Sequence, residues 1–426
     1  MKKVGVAILG LGVVGGGTYK ILTDNKEYFK KTQGLDVTVE CVLEKYVERA
    51  EQLGIEKERV ASSIEEVAAN PNVDIVVEVI GGVEPARTFV LKALSCGKTV
   101  VTSNKELFAK FWPELEAMAK STNAGLFFEA TCVGGVPIIR ALQESMQANK
   151  IQSIKGIING TTNYILTKMS NEGSSYEEAL KEAQRLGYAE FNPTADVEGF
   201  DATYKLSILS SLAFNTKVGI DNVHREGITA ITKEDIFYGK QLGYTVKLLA
   251  IGKNTTNGVE VRVHPTFVAT SNPLASVNDS FNAVYLVGDA VGEIMLYGRG
   301  AGALPTGSAI VSDVLFAAKH TDYFYASFEN SAKGIKDTKF VSDFSSQYFI
   351  RLSVMDNAGA LSKITGLLAK GNISIKDIKQ FAGADDKVTM VIVTHLCQES
   401  GLNKVLDKIK ALDEVYSVDS LIRLED

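Results

Sequence analysis

The stretch VGVAILGLGVVG, residues 4–15, decides the fold of the first part of the chain. Its first half, Val4–Leu9, is a continuous apolar run, which is typical of a strand buried on both faces. Its second half is a GxGxxG pattern, which ends the strand and opens a helix. Further short β-branched runs alternate with helical patterns up to about residue 129. This alternation predicts an α/β domain over residues 1–133, with a doubly wound parallel sheet covered by helices on both faces.

The glycine pattern also predicts a binding site for a dinucleotide. Glycines let the chain turn sharply and let a pyrophosphate approach the backbone, while the start of the next helix supplies amide donors and a positive dipole end. A tight strand-to-helix turn without a ligand is the alternative. We therefore expect a Rossmann-type domain that binds NAD or NADP through Gly10, Gly12, Val13, Val14 and Gly15.

The end of the second predicted strand, Val37–Leu43, bears on the choice between the two cofactors. An acidic residue there would hydrogen-bond the ribose 2′-hydroxyl of NAD, whereas a basic residue would accept the 2′-phosphate of NADP. Glu44 favours NAD, and Lys45 and Arg49 would suit NADP. The sequence leaves both cofactors open, with solvated surface charges as a further alternative.

Two further units are predicted beyond residue 133. Residues 134–302 mix long helical patterns, such as Val136–Gln147 and Ala202–Ala213, with strand-like runs such as Ile151–Ile158, which predicts a mixed α/β substrate and dimerisation domain. A polar stretch over residues 321–346 lacks periodicity and reads as a linker. Residues 347–426 then follow the order strand, helix, strand, strand, helix, strand, which predicts a ferredoxin-like βαββαβ fold.

Composition excludes several classes of protein. The net charge is −6, with 45 basic and 51 acidic residues spread along the chain, so no nucleic-acid partner is expected. No apolar run approaches the ~20 residues of a membrane-spanning helix, so no membrane partner is expected. The four cysteines stand apart without CxxC spacing, which favours a reducing compartment. With no signal-peptide pattern, a cytoplasmic protein is expected.

Three further motifs are Thr102–Lys105, Glu129–Thr131 and the long motif DVEGFDATYKL at 196–206. Together with the glycine loop, they resemble the homoserine dehydrogenases over roughly residues 4–320. The resemblance implies an NAD(P)-dependent oxidoreductase that interconverts aspartate semialdehyde and homoserine. It also implies that residues 303–320 pack back on the first domain.

The chemistry of aldehyde reduction explains why lysines are needed. A hydride goes to carbon and a proton to oxygen, so a proton donor must lie at the carbonyl oxygen. By resemblance, Lys205 transfers this proton and Lys105 is a second essential group at substrate and cofactor. We expect two nearby ammonium groups to lower each other's pKa. Asp201, four residues before Lys205, shares its helix face and would orient it, although an ordinary helical ion pair is the alternative.

The resemblance also implies substrate and cation contacts. Glu190 and Asp196 would approach the substrate, since an α-ammonium group requires a carboxylate. Gly160, Thr161, Thr162 and Asn163 would bind its carboxylate, although turn and helix-capping roles explain Thr and Asn equally well. Gly302 would lie beside the nicotinamide, but this chain has Arg299 where many relatives have proline. A monovalent cation, Na⁺ or K⁺, would be held by Glu129, Cys132, Gly134 and Val136.

The C-terminal unit resembles an ACT domain, a ferredoxin-like module that binds amino acids. We expect Asp356 or Asn357 to cap the following helix and Gly359 to allow close approach of a ligand. The resemblance implies an amino-acid effector, threonine as the pathway's end product, and a homodimer or homotetramer because such modules pair through edge strands. The predicted regulatory residues are Asp356, Asn357, Gly359, Ala360, Leu361, Asn372 and Ile373.

Two rival functions differ in what they require of the lysines. One is a dehydrogenase for a related amino or hydroxy acid, which substrate profiling would separate. The other is a non-catalytic sensor that binds nucleotide and amino acid. Intact Lys105, Asp201 and Lys205 argue against a sensor, since it needs no proton-transfer pair.

Overall fold

The computed structural model describes residues 1–320, 323, 325, 328, 338–383 and 386–425. In the first domain, parallel strands pair in the order β2-β1-β3-β4-β5. The order reverses between β1 and β3, and such a switch point opens a crevice at the carboxyl ends of the strands. The strands are β1 (Lys2–Leu9), β2 (Leu35–Leu43), β3 (Ile75–Glu78), β4 (Thr99–Thr102) and β5 (Leu126–Phe127).

Helices connect these strands and cover the sheet. Central β1 is buried along residues 4–9, as its continuous apolar run predicts. The side chain of Asn104 accepts a hydrogen bond from Leu107 N–H and so caps the helix that follows β4. The helices are α1 (Val13–Asp24), α2 (Lys26–Gln33), α3 (Val47–Gln52), α4 (Ile64–Ala69), α5 (Ala86–Ser95) and α6 (Lys105–Thr122).

A helix from far along the chain completes this domain. Helix α13 (Ala303–Lys319) packs against α1, and its apolar side chains join the same core. Glycines permit the close approach, since a Cβ at Gly17 would lie 2.3 Å from the carbonyl oxygen of Ala303, and one at Gly307 would lie 3.0 Å from Thr18 N. The two helices therefore pack backbone against backbone.

The middle domain has helices packed on an antiparallel sheet in the order β11-β10-β6-β8-β9. Helix α11 packs on β8 and β9, which fixes its position relative to the sheet. The elements are α7 (Ile138–Arg140), β6 (Ile151–Ile157), α8 (Gly160–Glu172), α9 (Tyr176–Arg185), α10 (Thr194–Val197), α11 (Phe200–Ala213), β7 (His224–Arg225), α12 (Lys233–Gln241), β8 (Tyr244–Thr255), β9 (Gly258–Ala269), β10 (Phe281–Gly288) and β11 (Gly292–Arg299).

The C-terminal unit has the predicted βαββαβ order, with a short additional strand before its second helix. Its main strands pair antiparallel in the order β16-β12-β14-β13. One face of this sheet and its helices form a separate apolar core. The elements are β12 (Ser345–Met355), α14 (Ala360–Lys370), β13 (Ile375–Ala382), β14 (Lys387–Thr394), β15 (Cys397–Gln398), α15 (Glu399–Lys410) and β16 (Val415–Glu425).

The middle and C-terminal sheets are continuous, because β16 pairs in parallel with β9. At this junction, the guanidinium of Arg423 donates two hydrogen bonds to Glu226 of the middle domain, at 2.8 and 2.9 Å. It donates two more to Glu399 of α15, at 2.8 and 2.5 Å. We call Glu226, Arg423 and Glu399 the junction cluster. A second cross-domain pair joins Arg351 to Asp235 at 2.8 Å.

Two local predictions differ from the structure. The predicted helix Val136–Gln147 is a short α7 followed by a π-helical turn at Ala141–Ser145, and such turns are not visible in apolar periodicity. The N-cap of α14 is Gly359, at φ +103°, without a side-chain cap. The expected cap by Asp356 or Asn357 was therefore wrong, because both precede the true cap position.

The predicted linker falls largely outside the described residues. Of residues 321–346, the structure describes 323, 325, 328 and 338–346. Tyr325 donates a hydrogen bond to the carbonyl oxygen of Ala124 at 2.8 Å, so this part of the segment contacts the first domain. The borders of the domains stay predictions.

Candidate active site

Asp201 lies between two lysines where the first and middle domains meet. Its Oδ1 is 3.3 Å from Lys105 Nζ, and its Oδ2 is 2.6 Å from Lys205 Nζ. Lys105 begins α6 directly after β4, while Asp201 and Lys205 lie one turn apart in α11. The Lys105 side chain keeps 43% of its surface exposed, whereas those of Asp201 and Lys205 keep 8% and 11%. We call these three residues the cleft cluster.

Asn159, which the sequence analysis missed, links the cleft cluster to a further carboxylate. Its Nδ2 donates to Asp201 Oδ2 at 2.8 Å and to Asp196 Oδ1 at 2.6 Å. Its Oδ1 accepts from Thr162 N–H at 2.8 Å and so caps α8. The available signal was an asparagine between a strand and a helix pattern, which is a typical N-cap position.

The two ammonium groups set the charge state of this site. Burial alone would raise the pKa of Asp201, but Lys205 and Lys105 hold that pKa well below its ordinary value. The pKa of Lys105 is raised, chiefly by the charge of Asp201. The expectation that the lysines lower each other's pKa is therefore wrong for Lys105, because a carboxylate separates them. The pKa of Asp196 is raised by burial and then by the charge of Asp201.

The ammonium of Lys205 is oriented by two acceptors. It donates to Asp201 Oδ2 and to the backbone carbonyl of Ile158 at 2.8 Å. An ammonium group has three N–H donors, so one remains for a further acceptor. The thiol of Cys132 donates to the backbone oxygen of Lys205 at 3.8 Å, which ties the end of the first domain to α11. This geometry suits proton exchange with a ligand oxygen.

The Gly160–Asn163 segment forms the first turn of α8 beside Asn159. The Thr162 hydroxyl donates to Asn159 Oδ1 at 2.9 Å, and Thr161 donates to the carbonyl oxygen of Tyr188 at 2.6 Å. Asn163 is buried and donates to two backbone carbonyls, while its Oδ1 accepts from Lys247 Nζ at 3.2 Å. These side chains are thus engaged with protein groups.

Glu190 stands apart from the cleft cluster. It is exposed in the segment after α9, where its backbone oxygen accepts from Gln184 Nε2 at 3.1 Å. Within the described part of the chain its carboxylate makes no hydrogen bond or ion pair with the cluster. The carboxylate is therefore available to a ligand but is not preset against the lysines.

The glycine loop has the geometry that a pyrophosphate requires. Gly10 adopts φ +95°, and Gly12 is the N-cap of α1 without a side-chain cap. A Cβ at Gly15 would lie 2.0 Å from the carbonyl oxygen of Gly10, so α1 starts against the turn itself. The first amides of α1, at Val13 and Val14, are free of capping side chains and point to a ligand site.

Glu44 holds this loop from the end of β2. Its Oε2 accepts from Leu11 N–H at 2.5 Å and its Oε1 from Tyr46 N–H at 2.9 Å, with a side chain only 4% exposed. Arg49 lies 3.6 Å from the same carboxylate and 4.8 Å from the ring centre of Tyr46. Lys45 and Arg49 are exposed. The acidic residue is thus occupied by the backbone, and the basic residues face solvent.

The glycines that connect the domains are also explained by close packing. A Cβ at Gly134 would lie 2.4 Å from the carbonyl oxygen of Gly300, and one at Gly300 would overlap the amide of Asn282. Gly302 is the N-cap of α13 at φ +124°. Arg299 lies with its guanidinium 5.3 Å from the Phe281 ring centre.

The residues expected to bind a cation partly match that chemistry. Val133 and Gly134 both adopt positive φ, and no described donor bonds the carbonyl oxygens of Cys132 or Gly134. The Glu129 carboxylate, however, accepts from Ile139 and Arg140 N–H at the start of α7, at 2.9 and 2.8 Å. Burial raises the pKa of Glu129. The carbonyl oxygens of Cys132 and Gly134 suit a monovalent cation, whereas the Val136 carbonyl accepts from Ile138 N–H at 2.9 Å and the Glu129 carboxylate is shared with a helix terminus.

The described residues hold no cluster of metal-binding side chains and no membrane-spanning helix. No group of three or more histidine, cysteine, aspartate or glutamate side chains there is arranged to hold a metal ion. No described helix has the length and apolar character to cross a membrane.

Comparison with protein families then covers all three units. The homoserine dehydrogenase model matches residues 137–315, its NAD-binding domain model matches residues 10–129, and the ACT model matches residues 348–414. Homoserine dehydrogenase of Bacillus subtilis is 42% identical over 430 residues, covering 100% of this chain and 99% of that protein. The chain belongs to the homoserine dehydrogenase family. The resemblance predicted from the motifs is thereby confirmed, as is the α/β fold with its ACT domain.

Solved structures of family members agree. A homoserine dehydrogenase from Thiobacillus denitrificans is 40% identical and superposes with a TM-score of 0.93, covering 100% of this chain and 99% of that one. A hyperthermophilic archaeal homoserine dehydrogenase in complex with NADPH is 30% identical, with a TM-score of 0.64 over 74% of this chain and 98% of its own. The chain is thus an NAD(P)-dependent oxidoreductase of this family.

Proposed function

We propose that the cleft cluster carries the interconversion of L-homoserine and L-aspartate 4-semialdehyde. The observation that supports this most directly is a carboxylate shared by two lysines from different domains, beside the carboxyl ends of the Rossmann strands. A bound nicotinamide would supply or accept the hydride at the substrate carbon. The protein must then hold the substrate and move one proton at its oxygen.

Lys205 is the proposed proton-transfer group. In the reductive direction its ammonium donates a proton to the carbonyl oxygen as that oxygen gains charge, and in the oxidative direction the amine takes the hydroxyl proton. Asp201 and the Ile158 carbonyl hold Nζ in place. Lys105, whose pKa Asp201 raises, stays charged and stabilises the developing negative oxygen.

The amino-acid part of the substrate needs one anionic and one cationic partner. Asp196 and Glu190 are the proposed partners for the α-ammonium group, because neither is paired with a basic side chain in the described residues. Thr162 and Asn163 are engaged within the protein, so we assign the substrate carboxylate to the backbone amides of Gly160 and Thr161 at the start of α8.

The test is homoserine-dependent reduction of NAD⁺ and NADP⁺ at alkaline pH by wild type, Lys205→Ala and Lys105→Ala. We expect about 10²- to 10⁴-fold loss of kcat for Lys205→Ala, the range typical of a lost acid–base group. Lys110→Ala, an exposed lysine of α6, is the matched control and should turn over at the wild-type rate. Wild-type turnover without homoserine selectivity, or full activity of Lys205→Ala, would contradict the proposal.

For the cofactor we propose a preference for NADP. The Glu44 carboxylate is engaged by the Leu11 and Tyr46 amides, while Lys45 and Arg49 are exposed beside it and suit a 2′-phosphate. Isothermal titration should give a lower Kd for NADP⁺ than for NAD⁺. Arg49→Ala should weaken NADP⁺ binding and leave NAD⁺ binding unchanged; equal weakening of both would refute this role.

A monovalent cation is proposed at the Cys132, Gly134 and Val136 carbonyls, with Glu129 as the carboxylate. Titration of Na⁺ or K⁺ into metal-free protein should raise its melting temperature more than the same ionic strength of a bulky organic cation. Identical melting curves in all three salts would refute the site.

Regulation by threonine through the ACT domain is the second proposal of function. Contacts that support it run from the junction cluster to α11. Glu226, held by Arg423, follows Arg225, whose Nη1 donates to the Glu198 carbonyl at 2.5 Å. The Arg225 guanidinium lies 3.6 Å from the ring centre of Phe200, the first residue of α11. A shift of the ACT sheet would thus reach the helix that carries Asp201 and Lys205.

The proposed effector loop is residues 356–361 with Asn372 and Ile373. Asp356 to Gly359 are exposed, and Gly359 needs its positive φ. Threonine should inhibit the wild type, while Gly359→Val, which disfavours this turn, should lose inhibition and keep basal turnover. Thr365→Ala, later in α14, is the control. If threonine inhibited Gly359→Val as strongly as the wild type, or did not inhibit the wild type, the proposal would be refuted.

A homodimer or homotetramer is proposed because β11 and β13 end the continuous sheet with unpaired edges in the described residues. Light scattering of the purified chain would reveal its mass, and a monomer would refute this oligomeric state.

The cysteines bear on the proposed cytoplasmic setting. Cys41, Cys96, Cys132 and Cys397 are all free thiols, which supports that setting.

A further inference from the structure

Glu78 is a buried carboxylate that the proposed reaction does not use. It is the last residue of β3, and its side chain is fully buried. None of the described lysines, arginines or histidines pairs with it. Burial raises its pKa, and hydrogen bonds from Thr102, Ile80, Gly81 and Asn104 oppose that rise. A carboxyl group in such a place is costly unless its hydrogen bonds compensate.

The position of Glu78 in the sheet is a ligand position. β3 lies next to β1, at the point where the strand order reverses, and doubly wound folds bind ligands outside the strand ends at this point. Glu78 Oε1 accepts from Ile80 N–H at 2.8 Å, which shapes the loop that follows β3. In that loop Gly81 and Gly82 are exposed and have φ of +83° and +70°.

This loop borders the cofactor turn. A Cβ at Gly10 would lie 3.2 Å from the carbonyl oxygen of Val79 and 3.4 Å from Ile80 Cα. One arm of the Glu78 network therefore supports the wall beside the glycine turn. The exposed glycines leave the backbone of that wall open to a ligand.

The other arm of the network reaches Lys105. Glu78 Oε2 accepts from the Thr102 hydroxyl at 2.6 Å, and Thr102 Oγ1 accepts from Asn104 N–H at 3.0 Å. Asn104 caps α6 through Oδ1, while its Nδ2 donates to the Gly82 carbonyl at 2.6 Å. Lys105 is the next residue. The two arms thus close into one ring of hydrogen bonds around Glu78.

We propose that Glu78 is a positioning residue for the dehydrogenase reaction: it fixes the loop at residues 79–82 and the start of α6 in one geometry, so that cofactor and Lys105 stay aligned. This rests on the proposed cleft. Glu78 touches neither substrate nor the reacting atoms, so its effect passes through the loop amides and through Thr102 and Asn104.

The experiment compares Glu78→Gln, Thr102→Val and the control Glu116→Gln, a buried carboxylate later in α6. The probes are NADP⁺ binding by isothermal titration, which needs no turnover, and kcat and KM for homoserine. Glu78→Gln should weaken NADP⁺ binding about 10-fold and lower kcat about 10- to 100-fold, since small misplacements cost this much. Thr102→Val should lower kcat about 10-fold with NADP⁺ Kd within about 2-fold, because only the Lys105 arm is cut.

A merely structural role predicts another pattern. It would lower the melting temperature and the stoichiometry of NADP⁺ binding but leave Kd and KM of the folded fraction unchanged, as we expect for Glu116→Gln. That pattern in both Glu78→Gln and Thr102→Val, or wild-type constants in both, would overturn the proposal. If Lys105→Ala instead kept wild-type kcat, the proposed role of Lys105 would fail, while the Kd of Glu78→Gln would still test the loop arm.

Discussion

The cleft cluster and the junction cluster are built with opposite charges. In the cleft one carboxylate, Asp201, lies between two ammonium groups; at the junction one guanidinium, Arg423, lies between two carboxylates. Arg423 makes two bidentate pairs, which leave little of its hydrogen-bonding capacity unused. The lysines keep donors free and Lys105 stays partly exposed. A buried cation whose hydrogen-bond donors are all engaged, such as Arg423, stabilises the structure. A cation that keeps a free donor, such as Lys205, can still bind a ligand and transfer a proton.

The largest expected effect, a loss of catalytic activity, follows from a substitution that breaks the cleft cluster. Asp201→Asn removes the charge that balances two ammonium groups, so Lys205 loses its orientation and Lys105 the cause of its raised pKa. We expect kcat/KM to fall about 100-fold or more, as for loss of an acid–base partner. Asp221→Asn, an exposed carboxylate of the same domain, should retain wild-type kinetics. If steady-state assays gave a kcat/KM for Asp201→Asn within threefold of the wild-type value, the proposed difference in role between the cleft cluster and the junction cluster would be refuted.

The second effect, a loss of stability, follows from a substitution that breaks the junction cluster and leaves the cleft cluster unchanged. Arg423→Met leaves Glu226 and Glu399 without their cation, which should cost about 1–3 kcal/mol of unfolding free energy, because the Glu226 side chain is 42% exposed and water replaces part of the lost hydrogen bonding. Calorimetry should locate the loss in the transition of the ACT unit. Combining Arg423→Met with Glu226→Gln and Glu399→Gln should recover part of it, and an unchanged transition in the single variant would contradict a stabilising role.

The smallest effect is a pH dependence at the junction. Burial would raise the pKa of Glu226, but its hydrogen bonds with His224 and Arg423, together with the charge of Arg423, hold that pKa well below its ordinary value. The ionised carboxylate therefore stabilises the folded state above its unfolded pKa of about 4.3, and this contribution is lost as the pH falls further. Stability of the wild type should decline more steeply below pH ~5 than that of Glu226→Gln. Exposed Glu177→Gln should follow the wild-type slope; parallel curves for all three would refute the assignment.

Some residues of the candidate site could be predicted from the sequence, and others could not. The glycine loop directly follows one strand, so local spacing was sufficient to single it out. Asp201 and Lys205 were singled out by the resemblance of their motif, and their spacing of four residues only placed them on one helix face. The partners of Lys105 come from another domain and were inferred by resemblance. Glu78 and Asn159 act through neighbours that only the crossing of strands brings near. The sequence signal at Asn159 is limited to its N-cap position, and the glutamate that ends a strand at Glu78 carries no signal for its partners.

Local errors had equally local causes. The π-helical turn at Ala141–Ser145 lies in a stretch whose spacing of apolar residues resembles that of an α-helix. The cap of α14 depends on the backbone angle of Gly359, which a choice between Asp356 and Asn357 by side-chain preference does not reveal. The pKa of Lys105 depends on a carboxylate placed between the lysines. Each outcome depends on tertiary placement rather than on composition.

The close pairing of Gly134 with Gly300 has a mechanical consequence. These residues belong to the two passages of the chain between the first and middle domains, and Gly135 N–H also donates to the Arg299 carbonyl at 3.0 Å. Because the two passages contact each other at one point, this point is a pivot for rotation of the first domain against the middle domain. Opening the cleft by rotation about that pivot disturbs few contacts between the passages, whereas sliding the domains past each other would break the pivot itself.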